Sequence, residues 1–432
     1  MKKTVYFKTL GCKVNQYETQ GMREVFFSAG WKEVAVVRDA GVVVINSCTV
    51  THHSDRKTMY YARQAKRQNY NAVVVVAGCI VENNDPEYFI RKGADIVVCN
   101  EDKTRIAALV EDYLFHGNKS VSDSIKDFHI TNFKGHSRAF VKVQDGCNMR
   151  CSYCKICLVR GQSRSRDMHN VLSDVQSLVA NGYKEIVLAG IQLGAYGRDF
   201  CDETDIVFLL QKIVKIKGCD RVRLSSIEPF DVKDNLIEFM STNKKVCPQL
   251  HIPLQSGSDN ILKLMRRGYT GKCFCRLIEK LRARIPNFAF TTDVIVGFPS
   301  ESDENFDDTV QVLSETRPFK VHVFPFSARE GTDAAKMKDQ VSLKIVKKRE
   351  KSLLGLEKKI FADEAGKFVG QICTVLLEEE LDNKGQFLLK GRVPQYMPII
   401  VSGAAKENIG GCLKVKVLGV QEHCLTGEVV TC

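Results

Sequence analysis

The sequence has no run of eighteen apolar residues, and its first stretch, "MKKTVYFKTLGCKVN", passes from two lysines into a short strand pattern. Without a long apolar run, no membrane-spanning helix is predicted. The first stretch of the sequence does not have the layout of a secretory signal peptide. Internal repeats and low-complexity tracts are also missing. We therefore expect a cytoplasmic globular protein without membrane association, and its 432 residues predict roughly two to four domains.

Acidic residues are fewer than basic residues. The chain has 51 Asp and Glu and 63 Lys and Arg, which gives a net charge of +12. This balance favours a polyanionic partner such as a nucleic acid. Cysteine, in contrast, is abundant, with 17 residues. Since a reducing cytosol keeps thiols free, we do not expect a disulfide framework, and any cluster of cysteines is better interpreted as a set of metal ligands.

Residues 1–118 alternate β-branched strand patterns with helical patterns. Strands are predicted in "TVYFKTL", "VVVIN", "AVVVVAG" and "DIVVC", and helices over 16–29 and 54–69. Such alternation is typical of a parallel sheet with helices on both faces. We predict a small doubly wound α/β domain, followed by a polar linker over 116–128.

Residues 132–365 contain six strand patterns that alternate with helical patterns. The strands are "RAFVKV", "EIVLAG", "RVRLSS", "QLHIPL", "FAFTTDVIVG" and "KVHVFPF", and the helices are predicted over 168–181, 204–216, 231–242, 258–284 and 303–315. Six such units predict a partial, open (β/α)6 barrel with its chemistry at the C-terminal strand ends. A lysine-rich helix over 334–360 is predicted to lead into residues 366–432, whose short strands predict a small β-barrel.

A compact cysteine loop follows the first predicted barrel strand. Cys147, Cys151 and Cys154 are spaced C-x3-C-x2-C, and Cys157 follows at C-x2-C spacing. Three thiolates can hold three irons of a 4Fe–4S cube and leave the fourth iron open to an outside molecule. Two alternatives remain open on spacing alone: a tetrahedral zinc site and a closed cube, each with Cys157 as the fourth ligand.

Three further cysteines share one position relative to the predicted sheet. Cys12, Cys48 and Cys79 each follow the carboxyl end of a predicted parallel strand. A single cysteine of this kind is more often a buried apolar residue than a ligand. Three at equivalent strand ends converge on one crevice, so we predict a second metal site that again lacks a fourth protein ligand.

These residues lie in motifs that resemble those of the radical S-adenosylmethionine methylthiotransferases over nearly the whole chain. The matching motifs are "LGCKVNQYET" (10–19), "NSCTV" (46–50), "AGC" (77–79), "QDGCNMRCSYC" (144–154), "RGQSRSR" (160–166), "RLSSIEP" (223–229), "HIPLQSGS" (251–258), "MRRGYT" (265–270), "DVIVGFP" (293–299) and "FPFSAREGT" (324–332). The resemblance implies a radical-generating 4Fe–4S cluster on Cys147, Cys151 and Cys154. It also implies an auxiliary 4Fe–4S cluster on Cys12, Cys48 and Cys79, and an RNA-gripping TRAM module in the tail.

"LGCKVNQYET" is similar to the branch that acts on N6-threonylcarbamoyladenosine at tRNA position 37. The implied activity is transfer of a methylthio group to C2 of that base, with the tRNA anticodon stem-loop as partner and an electron donor such as flavodoxin or ferredoxin. An unactivated C–H bond needs a radical, which S-adenosylmethionine would supply. The alternatives are methylthiolation of isopentenyladenosine, methylthiolation of a protein aspartate, and a non-catalytic zinc RNA-binding protein.

Other residues are candidates for the cofactor. Ser225, Ser226 and Glu228 end one barrel strand, and Gln255 and Ser256 end the next, so they could contact S-adenosylmethionine, although capping or turn contacts would explain them equally well. We name no catalytic side chain. Two departures from the family pattern are Cys157, where members usually carry proline, and Ser300 in "GFPSES", where "GFPGET" is more common.

Candidate RNA contacts are basic residues in three places. They are Arg160, Arg164 and Arg166 beside the cysteine loop, the helix "RKTMYYARQAKR" with Tyr60 and Tyr61, and a tail patch of Lys384, Lys390 and Arg392, alone or together with the 334–360 helix. Arginine pairs phosphate bidentately, and tyrosine stacks on bases. A charged run of this kind is also the ordinary composition of a solvated helix face.

Overall fold

The computed structural model describes residues 2–49, 51–82, 84–115, 127–383 and 386–430, so most of the predicted linker lies outside the described residues. The chain forms two compact units. The first comprises residues 1–134 with 145–149 and 154–163, and the second comprises residues 135–144, 150–153 and 164–432.

The first unit contains a five-stranded parallel sheet flanked by helices. Its strands are β1 (Thr4–Thr9), β2 (Lys32–Glu33), β3 (Val42–Ser47), β4 (Val73–Gly78) and β5 (Ile96–Val98), and its helices are α1 (Lys13–Ser28), α2 (His52–Gln68), α3 (Pro86–Ile90), α4 (Ile106–Phe115) and α5 (Ile156–Arg160). The strand order is β2-β1-β3-β4-β5. This order reverses direction between β1 and β3, where doubly wound sheets bind ligands, so the predicted fold is confirmed.

The valine runs explain the centre of this sheet. Every residue of β3 and β4 is buried, as expected for strands that are covered on both faces. On one face α2 contributes Met59 and Ala62 to the core. On the other face Phe26 of α1 packs edge to face against Phe7 of β1, with ring centroids 5.7 Å apart.

The second unit begins with six parallel strands. They are β6 (Ala139–Lys142), β9 (Glu185–Ala189), β10 (Arg221–Leu224), β11 (Gln249–His251), β12 (Ala289–Val296) and β13 (Lys320–Pro325), while the two-residue strands β7 (Gln144–Asp145) and β8 (Arg164–Ser165) precede and follow the cysteine loop. The strands form sheets ordered β10-β9-β6 and β11-β12-β13. Parallel bridges from Val222 to Val246 and from Ser226 to His251 connect the two sheets. The partial (β/α)6 barrel is therefore confirmed.

Two of the predicted helices differ from the observed helices by more than three residues. The barrel helices are α6 (Met168–Ala180), α7 (Ile206–Ile213), α8 (Asp234–Thr242), α9 (Asp259–Leu264), α10 (Gly271–Arg284) and α11 (Asp303–Thr316), followed by α12 (Leu343–Gly366). The single helix predicted over 258–284 is wrong, because Arg266 adopts a left-handed φ of 58° between α9 and α10. The lysine-rich helix starts at Leu343, where Ser342 caps it, and not at 334.

The tail forms a closed five-stranded barrel, as predicted. Its strands are β14 (Ile372–Asn383), β15 (Gln386–Arg392), β16 (Pro398–Ser402), β17 (Cys412–Gln421) and β18 (Cys424–Val429), and they close in the order β14-β15-β16-β18-β17. The barrel core includes Phe361 and Ala365 of α12. The tail therefore shares its apolar core with the helix that leads into it.

Glu185 is a fully buried carboxylate at the start of β9. Its oxygens lie 2.8 Å from Arg223 Nε, 3.7 Å from Arg221 Nε and 3.9 Å from Arg138 Nη1. Burial alone would raise the pKa of Glu185, but these three guanidinium groups lower it to about 2. A carboxyl group whose pKa is lower in the folded than in the unfolded chain stabilises the fold above its unfolded pKa.

We predict that this stabilisation is lost as the pH falls from about 4.5 towards 2, at a cost of roughly 3 kcal/mol. Glu185→Gln should lower the free energy of unfolding at pH 7 and make it less dependent on pH in this window. Urea denaturation of the cluster-free full chain at several pH values measures both effects. Glu238→Gln, an exposed change in α8, should leave the wild-type profile unaltered, and the same profile in both variants would contradict the prediction.

Candidate cluster-binding site

Cys12, Cys48 and Cys79 follow β1, β3 and β4, which are neighbours in the sheet. The backbone N–H of Cys79 donates to the carbonyl oxygen of Ser47, at 3.3 Å. Parallel strands therefore bring the three loops to one edge of the first unit, as their positions in the sequence predict. Cys48 and Cys79 are buried, and Cys12 is exposed.

Gly11 allows the loop after β1 to approach Cys48. Its φ is +100°, and a Cβ at this position would lie 2.6 Å from Cys48 Cβ and 2.9 Å from Cys48 Sγ. Side chains do not tolerate such distances or readily adopt this conformation. The glycine of "LGC" is thus required for the loop of Cys12 to lie against Cys48.

The arrangement of the sulfurs fits a cluster better than a single ion. The thiolates of a mononuclear zinc site lie about 4 Å apart, because each is about 2.3 Å from the metal. Among the described residues, Cys12, Cys48 and Cys79 do not form a group whose ligand atoms all lie within 4.8 Å of one another. A 4Fe–4S cube binds each thiolate to a different iron and accepts this wider spacing.

Asn15 connects two of the cysteine loops. Its side-chain amide donates to the carbonyl oxygen of Leu10, which precedes Cys12, and to that of Ser47, which precedes Cys48, both at 2.7 Å. Asn15 is fully buried near the start of α1. Its side chain therefore fixes the separation of the two loops.

Arg160 connects this arrangement to the third cysteine. Its Nε donates to Cys79 Sγ at 3.2 Å, and its Nη1 donates to Glu18 Oε1 at 2.7 Å and to Asp145 Oδ1 at 3.0 Å. Its Nη2 donates to Asn15 Oδ1 at 2.7 Å. Since Arg160 is only 3 % exposed, the predicted phosphate or base contact of this residue is wrong.

The charges around Arg160 are balanced within the unit. Glu18 also accepts from Lys103 Nζ at 2.5 Å, so two buried cations face the carboxylates of Glu18 and Asp145. Burial alone would lower the pKa of Arg160, but Glu18 and Asp145 raise it well above its usual value. Burial raises the pKa of the Cys79 thiol, and Arg160 counteracts that increase. A hydrogen bond to a ligating sulfur also tunes the potential of an iron–sulfur cluster.

The other two arginines of "RGQSRSR" differ from each other. Arg166 is buried and donates to the carbonyl oxygen of Lys142 at 2.7 Å and to Asp174 Oδ2 at 3.1 Å, so its predicted RNA contact is also wrong. Arg164 is exposed. It alone of the three remains a candidate for a phosphate contact.

Backbone and side-chain N–H groups donate to the three sulfurs of the C-x3-C-x2-C motif. In the first unit, Met149 N donates to Cys147 Sγ and Ile156 N donates to Cys154 Sγ, both at 3.4 Å. In the second unit, Arg267 Nη1 donates to Cys151 Sγ at 3.4 Å. Hydrogen bonds of this kind to the ligand sulfurs are among the factors that set the potential of an iron–sulfur cluster, so these contacts fit the predicted role of the three cysteines.

Cys157 Sγ lies 4.0 Å from the carbonyl oxygen of Cys154, which is the outer limit for a hydrogen bond to or from sulfur. Iron analysis of a Cys157 variant separates the open cube from the zinc site and the closed cube.

Arg267 contacts Cys151 within the second unit, and Ser225 follows directly after β10. Arg267 forms an ion pair with Glu228, whose pKa is raised by burial although Arg267 opposes the change. Ser225 is buried, and within the described part of the chain its hydroxyl has no hydrogen-bond partner. A buried polar atom in that state fits a ligand that supplies the missing hydrogen bond.

The remaining predicted cofactor residues, Ser226, Gln255 and Ser256, make different contacts. Ser226 forms a parallel bridge with His251, at the junction of the two sheets. Gln255 has a left-handed φ of 64° and forms a bridge with Val294. Ser256 is fully buried and its hydroxyl lies 3.3 Å from Thr309 Oγ1, which is a contact inside the protein and does not support a cofactor contact.

Ser300 stands in "GFPSES", where the family pattern more commonly has glycine. Its φ is +66°, a conformation in which glycine has no steric cost. The neighbouring Glu301 accepts from Gly297 N and from Arg349 Nη1, both at 2.7 Å. The turn is therefore retained with serine, at the cost of backbone strain.

The predicted basic helix presents a charged outer face. In α2 the side chains of Arg56, Lys57, Arg63 and Arg67 are exposed, and Tyr60 is 55 % exposed. Tyr61 is half-buried, with Lys8 Nζ 4.7 Å from its ring centroid. Tyr60 thus remains available for stacking, whereas Tyr61 is already covered by a cation.

The tail patch is less suited to RNA. Lys384 lies outside the described residues, Lys390 pairs with Glu379 at 2.8 Å, and Arg392 pairs with Glu378 at 3.1 Å. Exposed lysines are instead grouped on α12, at positions 344, 347, 348, 351, 358 and 359. Residues three and four apart share one face of a helix, so these lysines form a basic stripe.

Asn15, Glu18, Lys103, Arg160 and Arg267 are functional candidates that the sequence did not reveal as such. A usable signal was the polar stretch "NQYETQ" (15–20), because Asn15, Glu18, Thr19 and Gln20 are all buried in α1. A buried polar helix face needs buried partners.

We predict that Arg160→Ala destabilises the first unit by about 3–5 kcal/mol, because it leaves buried carboxylates without a partner. The variant should also retain fewer iron atoms per chain after anaerobic reconstitution, while Arg164→Ala, an exposed change in the same loop, should retain the wild-type number. Thermal unfolding and iron analysis measure the two effects. Wild-type iron content and stability in Arg160→Ala would contradict the assigned role.

We further predict that Cys157→Ala keeps both clusters, with about eight iron atoms per chain, whereas Cys151→Ala loses about half of the iron. Iron analysis and the visible absorption of anaerobically purified protein provide the measurement. Loss of iron from the Cys157 variant would show that this thiolate is a ligand.

Family models match three parts of the chain. The Radical SAM superfamily matches residues 141–313, Uncharacterized protein family UPF0004 matches residues 4–99, and the TRAM domain matches residues 366–430. Among solved structures, the radical S-adenosylmethionine methyltransferase TsrM from Kitasatospora setae has a TM-score of 0.56 at 14% identity and covers 75% of each chain. That likeness concerns the fold alone.

Curated relatives match almost the entire chain. Threonylcarbamoyladenosine tRNA methylthiotransferase MtaB of Bacillus subtilis (strain 168) is 37% identical over 96% of this chain and 94% of its own length. MtaB of Chlamydia pneumoniae is 37% identical over 100% and 99%. The tRNA-2-methylthio-N(6)-dimethylallyladenosine synthase of Clostridium novyi (strain NT) is 32% identical over 99% and 97%. With its strand-end cysteines and C-x3-C-x2-C loop, the chain belongs to the radical S-adenosylmethionine tRNA methylthiotransferase family, and within it to the threonylcarbamoyladenosine branch.

Proposed function

We propose that this protein transfers a methylthio group to C2 of N6-threonylcarbamoyladenosine at position 37 of tRNA. The observation that carries the proposal is 37% identity, over almost the whole chain, to relatives named for this activity. Relatives named for the dimethylallyladenosine reaction are less similar, at 32%. A protein aspartate as substrate and a non-catalytic zinc protein are not favoured, because both sets of relatives act on tRNA.

Cys147, Cys151 and Cys154 would hold the radical-generating 4Fe–4S cluster, and Cys12, Cys48 and Cys79 the auxiliary one. With S-adenosylmethionine, the clusters supply the radical and sulfur chemistry that a C–H bond requires. The protein's own part is to hold the sulfurs. Arg267 donates to Cys151, and Arg160 donates to Cys79, so each cluster has one buried guanidinium on a ligand sulfur.

Ser225, Glu228 and Arg267 support a cofactor site in the second unit. Ser225 offers a buried hydroxyl, while Glu228 and Arg267 form a buried pair that could bind the amino and carboxylate groups of an amino acid. Ser226 and Gln255 lie at neighbouring strand ends, and we propose that they also contact the cofactor.

The substrate RNA would contact basic surfaces on both units. The exposed cations and Tyr60 of α2 suit phosphate binding and base stacking. The lysine stripe of α12 lies on the helix that shares its core with the tail barrel. We assign residues 1–118 to the auxiliary cluster, 132–365 to the radical cluster, and 366–432 to RNA binding at the anticodon stem-loop.

An electron donor is a further partner that the chemistry requires. Reductive cleavage of S-adenosylmethionine needs one electron from outside, which a flavodoxin or ferredoxin could supply. We propose that the reaction takes place in the cytoplasm. Within the described residues, no helix is both long and apolar enough to pass through a bilayer.

Nucleoside analysis of tRNA tests the proposed function. A strain that lacks this gene should accumulate N6-threonylcarbamoyladenosine without its methylthio form, and mass spectrometry should detect the methylthio form again after complementation with the wild-type chain. Complementation with Cys151→Ala should fail, whereas Cys157→Ala should restore the product.

Unchanged threonylcarbamoyl nucleosides in the deletion strain would reject the assignment. Loss of methylthio-isopentenyladenosine instead would move the protein to the other tRNA branch.

A further inference from the structure

Three metal-ligating side chains lie together on the sheet formed by β11, β12 and β13. His251 and Asp293 are half-buried, and His322 is exposed. One ligand atom from each residue lies within 4.8 Å of the other two. Strand register brings them together, because His322 pairs with Asp293, and His251 pairs with Thr291, two residues before Asp293.

The three side chains belong to the inner face of the partial barrel. Successive residues of a strand point to opposite faces of the sheet. Phe290 of β12 packs against Phe274 of α10, with ring centroids 6.1 Å apart. Thr291 and Asp293, on the opposite face of the strand, therefore point away from the helix layer.

The spacing of the ligand atoms fits one ion. His251 Nε2 and Asp293 Oδ2 are 3.1 Å apart. Two ligands at about 2.0–2.2 Å from one zinc-type ion are about 3 Å apart when the angle between them is near 95°. Two such ligands at a tetrahedral angle are about 3.4 Å apart, so the exposed side chain of His322 needs to move by at most about 1.4 Å.

Thr291 supplies the outer contact that metal-bound histidines usually have. His251 Nδ1 lies 2.8 Å from Thr291 Oγ1. A hydroxyl can either donate or accept. When Nδ1–H donates to Thr291, the lone pair of Nε2 points to the carboxylate of Asp293 and is available for a metal ion.

We propose that His251, Asp293 and His322 bind one divalent transition-metal ion, of the iron(II) or zinc class. Two imidazoles and one carboxylate suit such ions and leave coordination positions open. None of these three residues belongs to either set of cluster cysteines.

The ion would lie beside the proposed cofactor segment. Ser226 pairs with His251, and Ile227 N donates to the carbonyl oxygen of His251 at 3.0 Å. The next residue, Glu228, binds Arg267, which contacts Cys151. On the basis of the proposed function, the open positions take the carboxylate of the threonyl group on the substrate base, which an isopentenyl group lacks.

Manganese(II) binding to the holoprotein tests the ion site, because manganese prefers oxygen and nitrogen ligands to thiolates. Protein with both clusters in the oxidised, EPR-silent state is titrated with MnCl2, and the six-line EPR signal reports free manganese. We expect one bound ion per chain, displaced by zinc. His322→Ala and Asp293→Asn should each weaken binding at least ten-fold.

His169→Ala, an exposed histidine of α6, is the matched control and should bind as the wild type does. The visible absorption of the clusters verifies that each variant is folded and loaded. Equal binding by the wild type and both variants, or no bound manganese in the wild type, would overturn the ion site.

A second measurement tests the carboxylate ligand. The water-proton relaxation caused by bound manganese should fall when N-carbamoyl-L-threonine is added, and should not fall with its carboxamide. The same response to both compounds, or no response, would reject carboxylate coordination. Failure of the proposed function would appear in the nucleoside analysis and would leave manganese binding unchanged, so the two failures are distinguishable.

Discussion

The buried guanidinium of Arg160 is the interaction on which the first unit depends. Its N–H groups reach Cys79 after β4, Asn15 and Glu18 in α1, and Asp145. A buried charge is tolerated only when it is paired and hydrogen-bonded. The segments that carry these partners therefore cannot separate independently, and the cysteine loops inherit a fixed spacing from them. The positions of the three cysteine loops thus depend on how the charge of Arg160 is neutralised.

In the second unit, the buried charge of Glu185 is likewise paired and hydrogen-bonded. Arg223 and Arg138 both face this carboxylate, and each also contacts the tail: Arg223 donates to the carbonyl oxygen of Pro394 at 3.0 Å, and Arg138 pairs with Glu378 at 2.7 Å. The tail barrel is thus attached to the strands by cations that one buried carboxylate orients. Because these arginines are engaged inside the protein, the exposed lysines of α12 are better placed to meet RNA.

Much of the fold could be predicted because it follows from local periodicity. Valine runs indicated the buried strands of the first unit, and the alternation of strands with helices indicated its parallel sheet and the parallel strands of the partial barrel. The errors arose where the backbone departs from its local pattern. Between α9 and α10, Arg266 adopts a left-handed backbone conformation, and Arg267 is buried against Glu228, 39 residues earlier in the sequence. This long-range contact ends a helix that the local periodicity would continue.

The sequence by itself determined that Cys12, Cys48 and Cys79 lie at one edge of the sheet, because parallel strands place their carboxyl ends at one edge whatever the packing around them. Only the tertiary structure decided which arginine contacts Cys79 and which faces solvent. Arg160 and Arg164 stand in one basic run, yet Arg160 is buried because Glu18, 142 residues away, is buried opposite it. Composition and spacing carry no information on such remote partners, since desolvation and pairing of a charge depend on the assembled fold.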